Sequence, residues 1–456
     1  MSTIPVVITG VGPVSAIGCG REPFWKSLVA GQHGFGPVTL CDTSRSPSKI
    51  AAEVKDFRLE NYIERGRVIA RRSPRAVQFA LAASVLAMHD AGINLDACDA
   101  DRMGVYVGTS IGNVADGYAL REKWPASTTI APHMAFYLFT HSAACILSAF
   151  FNLRGPMHTI SQGCSSGLDA VGQSLRLLQL GLADAMLVVG TDCELDPYIM
   201  AILNASGSLS TRYNDEPGRA SRPFDLNRDG NVVGEGAAAL LLESEPHARA
   251  RGARIYARVA GYKVCAAGEN RKYSHDAPEI DLRPCVRAFE GTMEEAGWRA
   301  ADVNLVNANG SSSILYDRLE ALSLADALGD AFPTTPVHST KSMLGQHGAG
   351  SSALQVVAAC LSIHHQTAPP TINHQEPDPA CGPIRVVTKS ESMSIRNVLV
   401  HSIGLGGFYY SCGALTAPNG LSEAAQGQSG SANGGSSIAD VDDERPFVPW
   451  KAYKDT

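Results

Sequence analysis

The sequence predicts an α/β protein: a mostly parallel sheet with helices on its faces. Three observations carry this. Apolar strand-like runs alternate with helical patterns along most of the chain. The alternation occurs twice, divided near residue 255. In each half a strand leads into a turn of small residues and then a helix. We read two related α/β halves, 1–255 and 256–417, followed by a linker and tail at 418–456, although identity between the halves is too faint to demonstrate a duplication.

In order, Pro5 to Gly12 (PVVITGVG) reads as a buried strand ending in a glycine turn, and Arg21 to Ala30 as a short helix. The run TGVGPVSAIG superficially suggests a phosphate-binding loop. No acidic residue at the expected distance supports it, so a tight turn is the better reading. Ser73 to Ala91 is alanine-rich and amphipathic, with Ser73 as N-cap and Pro74 in the first turn. Met103 to Gly108 is a buried strand. Ala131 to Asn152 reads as an apolar helix in core or interface, containing His133, His141 and Cys145. Ala185 to Gly190 is a strand, and Asp184, Asp192 and Glu194 around it read as structural.

Ser206 to Gly236 is a long polar loop. Strands follow at Ala237–Glu243 and Ile255–Tyr262, a helix at Asp281–Gly297 and a strand at Val303–Ala308. A helix at Tyr316–Leu328 carries Asp317 and Glu320. A strand from Val337, a helix at Ser351–Ile363, and strands at Val398–Ser402 and Phe408–Ala417 complete the pattern. The segment GLSEAAQGQSGSANGGSS has linker composition. The tail DVDDERPFVPWKAYKDT is read as disordered rather than as a docked strap, because it is too short for a core of its own.

The 456 residues, 45% hydrophobic and 18% charged, suit a large soluble protein, and a net charge of −7 gives no support for nucleic-acid binding. Eleven scattered cysteines, without CxxC or zinc-ligand spacing, indicate reduced thiols in a cytoplasm and no metal. No secretory pattern opens the sequence, and no apolar run reaches membrane-spanning length.

The chemistry centres on His158 to Gly181, HTISQGCSSGLDAVGQSLRLLQLG. Leu168, Val171, Leu175, Leu178 and Leu180 recur at roughly helical spacing just after Cys164. A thiol at a helix start feels the positive end of the dipole and free N–H groups, which favours thiolate. Gly163, Ser165, Ser166 and Gly167 leave room for a substrate. Cys164 is therefore a candidate nucleophile rather than a buried structural thiol.

SQGCSSG, SRPFDLNRDGNVVGEGA, VNANGSSSILYDRLEA, STKSMLGQHGAGSSA and SIGLGG occur in this order. Together they resemble the β-ketoacyl-acyl-carrier-protein synthases, nearest to the type II fatty-acid and polyketide ketosynthases, over residues 4 to 417. The resemblance implies the thiolase fold, two βαβαβαββ halves in five layers. It implies a homodimer, or a heterodimer with another ketosynthase-like subunit, and a thioester substrate on the phosphopantetheine of an acyl carrier protein, without metal or other cofactor. It implies ping-pong chemistry, in which the cysteine takes the acyl group and a decarboxylated malonyl thioester then attacks it.

Carried over by motif, Cys164 is the nucleophile, Lys341 the supporting lysine and Glu320 its associated acid. The backbones of Cys164 and Leu405 form the oxyanion hole. Ser311 and Ser313 replace the hydroxyls that contact the pantetheine arm. Arg222, Asp225, Arg228, Asp229 and Glu235 match a loop of mainly structural role.

The sequence departs from the family at its histidines. Asn309 replaces the first and Gln346 the second. His347 is adjacent, but a one-residue shift at a turn points it elsewhere. Asn231 replaces a phenylalanine, and Phe408 and Tyr409 alter the usual GGTN ending. Amides donate hydrogen bonds but do not exchange protons near neutral pH. Three readings stand. In the favoured one, Cys164 accepts an acyl group and passes it to another nucleophile, or condensation follows a modified mechanism. In the second, the chain is a non-catalytic chain-length-factor-like partner. In the third, it is an ordinary decarboxylative synthase using His347 or a rearranged loop.

Overall fold

A computed structural model describes residues 3–123, 132–268, 281–404, 407–418 and 450. The strands are Val6–Ser15 (β1), Met103–Gly108 (β2), Met157–Ile160 (β3), Ala185–Cys193 (β4), Val233–Ser244 (β5), Ala257–Ala266 (β6), Leu305–Asn307 (β7), Pro336–His338 (β8), Asn397–Ile403 (β9) and Tyr409–Thr416 (β10). The main helices are Arg75–Ala91 (α1), Ser142–Phe151 (α2), Ser166–Gln179 (α3), Pro197–Ala205 (α4), Arg283–Ala296 (α5), Ile314–Leu328 (α6), Lys341–Leu344 (α7) and Gly348–His365 (α8).

The strand order makes the repeat visible. One half runs β1-β5-β4-β2-β3 and the other β6-β10-β9-β7-β8, which is the same order with five added to each number. Pairing directions also match. β1–β5 and β5–β4 are antiparallel, while β4–β2 and β2–β3 are parallel. β6–β10 and β10–β9 are antiparallel, while β9–β7 and β7–β8 are parallel. The halves meet where β1 pairs with β6. The repeat is therefore legible in topology where residue identity was too faint.

Five layers follow from helix placement. α1 covers the outer face of the first half, and α5 and α6 cover the outer side of the second. α3 and α8 lie between the halves, packed against each other and against strands of both. α8 is buried from Gly348 through Ile363, as a helix enclosed on all sides must be. Leu168, Val171 and Leu175 of α3 share one core with Leu354, Val357 and Leu361 of α8. This is the thiolase fold expected from the resemblance.

The structure corrects several local expectations. β1 does not end in a glycine turn but continues through Gly12 to Ser15. Gly12 serves close packing, because a Cβ there would lie 2.0 Å from the Ala83 carbonyl oxygen of α1. Ser73 does not cap α1. Pro74 occupies that position, and its ψ of 154° keeps it out of the helix. The long apolar helix expected over Ala131–Asn152 divides into a 3-10 turn at Pro132–Tyr137 and α2, with Leu138 and Phe139 exposed between them. Most of the tail lies outside the described residues. At Trp450, however, the docked-strap reading is the one observed. Its N–H donates to the Tyr62 carbonyl at 2.9 Å, and its ring meets Phe151 at 5.4 Å.

Candidate active site

Both inter-sheet helices point their first turns at one place. In the first half, β3 leads through a 3-10 turn, Gly163–Ser165, into α3. Gly163 adopts φ 68°, the left-handed region that glycine occupies without strain, and this sharp turn sets up Cys164. Ser166 Oγ accepts from the Gln162 N–H at 2.7 Å and donates to the Gly163 carbonyl at 2.7 Å, closing the turn. In the second half, β8 leads through α7 to α8. Ser352 of α8 donates to the Cys164 carbonyl at 2.8 Å. The helix heads nearly touch, since a Cβ on Gly167 would lie 2.3 Å from the Ala349 carbonyl oxygen.

Asp192, at the end of β4, ties the two halves together. Its carboxylate accepts from the backbone N–H groups of Ser110 at 2.7 Å, Ile111 at 3.1 Å, Gly112 at 3.2 Å and Ala349 at 2.7 Å. The structural reading of Asp192 therefore holds. Asp184 is structural as well, paired with Arg102 at 2.6 Å.

Cys164 opens into a cavity of about 200 Å³. Asn309, Gln346, Asn231, Ser311, Glu194 and Gly404 line it with the cysteine, and its walls are otherwise mainly apolar, including Ile111, Ile199 and Leu209. The tertiary structure thus brings Cys164, Asn309, Gln346, Asn231 and Ser311 together from distant parts of the chain. Two expected positions fall differently. Ser313 is not among the lining residues. Its hydroxyl caps α6, accepting from the Tyr316 N–H at 3.4 Å. Phe408 does not line the cavity either. Its carbonyl accepts from Ala267 N–H at 2.7 Å, while the neighbouring Tyr409 ring packs against Gly404. Leu405 lies outside the described residues.

Lys341 is buried and its ammonium is fully engaged. It donates to the Asn309 carbonyl at 2.8 Å, Asn309 Oδ1 at 3.3 Å and Gln355 Oε1 at 3.0 Å. Burial pushes it down to about 8, against the pull of Glu320 and Cys164. Glu320 reaches the lysine through Asn309 rather than by direct pairing. Its carboxylate accepts from the Asn309 N–H at 2.6 Å, the Gly310 N–H at 2.8 Å and His401 Nδ1 at 2.6 Å. Asn309 Oδ1 also accepts from the Ile403 N–H at 3.2 Å. With its oxygen held on that side, the amide presents its NH2 edge to the cavity.

Gln346 is fixed by its backbone, which bonds Val232 at 2.7 Å and Gly234 at 2.8 Å, and its side-chain amide, on the cavity lining, favours the ionised form of Cys164. His347 turns away, as the one-residue shift implied. It packs beside Gly236, with Nδ1 3.3 Å from Ser351 Oγ, and burial pushes it down to about 3. It is not a lining residue of the cavity.

The thiol corrects the thiolate expectation. Burial pushes Cys164 up to about 12, with Glu194 adding to the rise, and the Gln346 amide and the charge of Lys341 only partly oppose it. The dry environment outweighs the helix start, so the resting group is a thiol.

Sequence reasoning missed two residues. Gln355 lay hidden in the apolar run of α8. It joins Lys341 to the Ala308 carbonyl at 2.8 Å and the His401 carbonyl at 3.0 Å. Its one signal was an amide in a helix otherwise built for burial. Glu194, taken as structural, lines the cavity beside the thiol. The Arg222–Glu235 loop is structural as expected. Arg222 pairs with Asp225 at 2.8 Å, Arg228 with Asp378 at 2.8 Å, and Glu235 with Arg75 at 2.6 Å.

Among the described residues, no helix is long and apolar enough to cross a membrane, and no group of three or more His, Cys, Asp or Glu could hold a metal ion.

Comparison with known proteins agrees with this architecture. Residues 3–248 match the family model described as "Beta-ketoacyl synthase, N-terminal domain", and residues 256–375 that described as "Beta-ketoacyl synthase, C-terminal domain". A 3-oxoacyl-[acyl-carrier-protein] synthase 2 from Synechocystis sp. is 35% identical over 407 residues, covering 88% of this chain and 95% of that protein. A putative polyketide beta-ketoacyl synthase 1 from Streptomyces halstedii is 36% identical over 421 residues, covering 91% and 98%. Two solved structures are similar at 30% identity, each covering 91% of this chain and 100% of its own. One, a type II polyketide synthase acyl-carrier protein in complex with its ketosynthase bound to the hexaketide, has a TM-score of 0.80. The other, the ishigamide ketosynthase/chain length factor, has a TM-score of 0.83. Matching models across both halves, and relatives aligned over nearly their whole length, place this chain in the β-ketoacyl synthase family.

Proposed function

We propose that Cys164 accepts an acyl group from the pantetheine thioester of an acyl carrier protein and passes it to a second nucleophile. The observation that carries this reading is the pairing in one cavity of the thiol with an amide whose NH2 edge is fixed toward it. Asn309 Oδ1 is held by Lys341 and Ile403, so the NH2 can donate to a thioester oxygen as it gains charge. The Cys164 N–H, in the 3-10 turn that leads into α3, supplies a second donor. In the loading step, the Cys164 S–H bond breaks as sulfur bonds the acyl carbon. The pantetheine C–S bond then breaks and its sulfur takes the proton. The apolar walls suit an acyl chain. A similar ketosynthase is known in complex with its acyl-carrier protein, which supports such a carrier as partner here.

Decarboxylative condensation through His347 has little support, because that ring lies outside the cavity lining and is pushed down to about 3. The reading as a non-catalytic partner subunit keeps one specific observation in its favour. The resting thiol, at about 12, lacks a histidine beside it. A similar structure is a ketosynthase/chain length factor, so either a homodimer or such a heterodimer is consistent with this reading. The reduced cysteines fit a cytoplasmic protein.

The test is intact-mass analysis after incubation with short, medium and long acyl-carrier-protein thioesters. An acyl adduct on Cys164 is expected, without CO2 release from the malonyl carrier protein. The absence of any adduct, with a tight complex formed with a second ketosynthase, overturns acyl transfer in favour of the partner subunit.

A further inference from the structure

Asn309 and Gln346 can orient a thioester, but neither can carry a proton at neutral pH. A resting thiol must nevertheless lose one before an acyl-cysteine can persist. Among the described residues that line the cavity with Cys164, one carries a carboxyl, Glu194, and its charge acts on the thiol.

Glu194 follows the last residue of β4, where the chain turns toward α4. It is 7% exposed and lines the same cavity as Cys164, Asn309 and Gln346. Other buried carboxylates of this protein are bonded. Asp192 accepts four backbone N–H groups, Glu320 accepts two and a histidine, and Glu235 pairs with Arg75. No hydrogen bond or ion pair of the Glu194 side chain occurs among the described residues. A structural role would leave such a group satisfied. Its titratable surroundings are Asp192 behind it, Cys164 across the cavity with Lys341 beyond, and the phenols of Tyr118, Tyr198 and Tyr316 on the lining. Burial and the charge of Asp192 both favour its acid form.

We propose that Glu194, as a carboxylic acid, relays the proton during loading of Cys164. The carbonyl oxygen of the carboxyl accepts the thiol proton as sulfur bonds the acyl carbon. The hydroxyl of the same carboxyl gives its proton to the departing pantetheine sulfur. The carboxyl ends as it began, one S–H and one C–S bond are exchanged for another of each, and no further reactant is needed. This inference rests on the acyl-transfer reading and supplies the proton path that the two amides leave open.

The test compares two reactions of Cys164 in the full-length protein and in Glu194→Gln, both followed by intact mass. Acylation by an S-acyl pantetheine needs proton delivery to a leaving sulfur, whereas alkylation by iodoacetamide needs only thiolate. The relay predicts that Glu194→Gln slows acylation at pH 7 by about 10²-fold and leaves alkylation within about threefold of wild type. It also predicts that wild-type acylation is level with pH and falls as the carboxyl ionises, while the variant follows thiolate and rises with pH. Glu194→Asp should recover part of the rate. Equal acylation and equal pH profiles in wild type and Glu194→Gln overturn the relay alone. A matching loss in both reactions also overturns it, by showing that Glu194 only tunes the thiol. Wild type that alkylates but accepts no acyl group overturns the relay together with acyl transfer.

Discussion

Lys341 Nζ lies 3.3 Å from Asn309 Oδ1 and 2.8 Å from the carbonyl of the same residue. One ammonium thus holds both the backbone and the side chain of Asn309. The side-chain oxygen is committed, and the NH2 faces the cavity. Asn309→Asp keeps the shape and the acceptor for Lys341 but removes the donor. Single-turnover acylation of Cys164 should slow by about 10²–10³-fold, the usual cost of one lost oxyanion donor, while the melting temperature changes little. Unaltered acylation would show that this amide does not contact the thioester.

The thiol itself sets a pH dependence. Cys164 is pushed up to about 12, chiefly by burial. Its thiolate fraction therefore grows tenfold per pH unit across the accessible alkaline range. Alkylation of Cys164 by iodoacetamide, followed by mass, should rise with that slope and show no plateau below pH 10. A plateau between pH 7 and 9 would mean that the site stabilises thiolate after all.

The close approach of α3 and α8 makes Gly167 sensitive to a single methyl group. A Cβ there would lie 2.3 Å from the Ala349 carbonyl oxygen and 2.8 Å from Ser352 Oγ, the group bonded to the Cys164 carbonyl. Gly167→Ala must separate the helix heads. We expect a loss of about 1–3 kcal/mol from overpacking, read by denaturant unfolding, with loss of Cys164 acylation.

Stability in acid should depend on Glu243 at the end of β5. Burial alone would raise its carboxyl, but hydrogen bonds from Arg251, His247 and Thr9 overcome burial and hold it at about 2, against an ordinary value of 4.5. A carboxyl depressed on folding contributes stability that is complete above its unfolded value and is lost as pH falls through the folded one. That contribution, about 3 kcal/mol at 1.36 per unit, is fully present above pH 4.5 and fades toward pH 2. Glu243→Gln should lower the melting temperature at pH 7 and converge with wild type near pH 2. Parallel curves across that range would contradict this account.

The sequence by itself determined the alternation of strands and helices, the membership of the β-ketoacyl synthase family, and the helix that begins just after Cys164. These are local properties, carried by periodicity, by the small residues around Cys164 and by motif order. A one-residue shift at a turn redirects a side chain, and the His347 ring accordingly lies outside the cavity lining.

Tertiary structure decided what depends on distant neighbours. The five-strand offset between the halves emerged from pairing, since repeated topology persists when residue identity has drifted. The direction in which Asn309 points was settled by Lys341 and Ile403, and the burial of the thiol by the meeting of α3 and α8. Ser313 proved to be a helix cap, because its backbone opens α6. Glu194 looked structural beside a strand, and only the tertiary structure brings it to the lining of the Cys164 cavity. Whether a group is desolvated, paired or free is fixed by what the fold brings against it, and that information is not local to the chain.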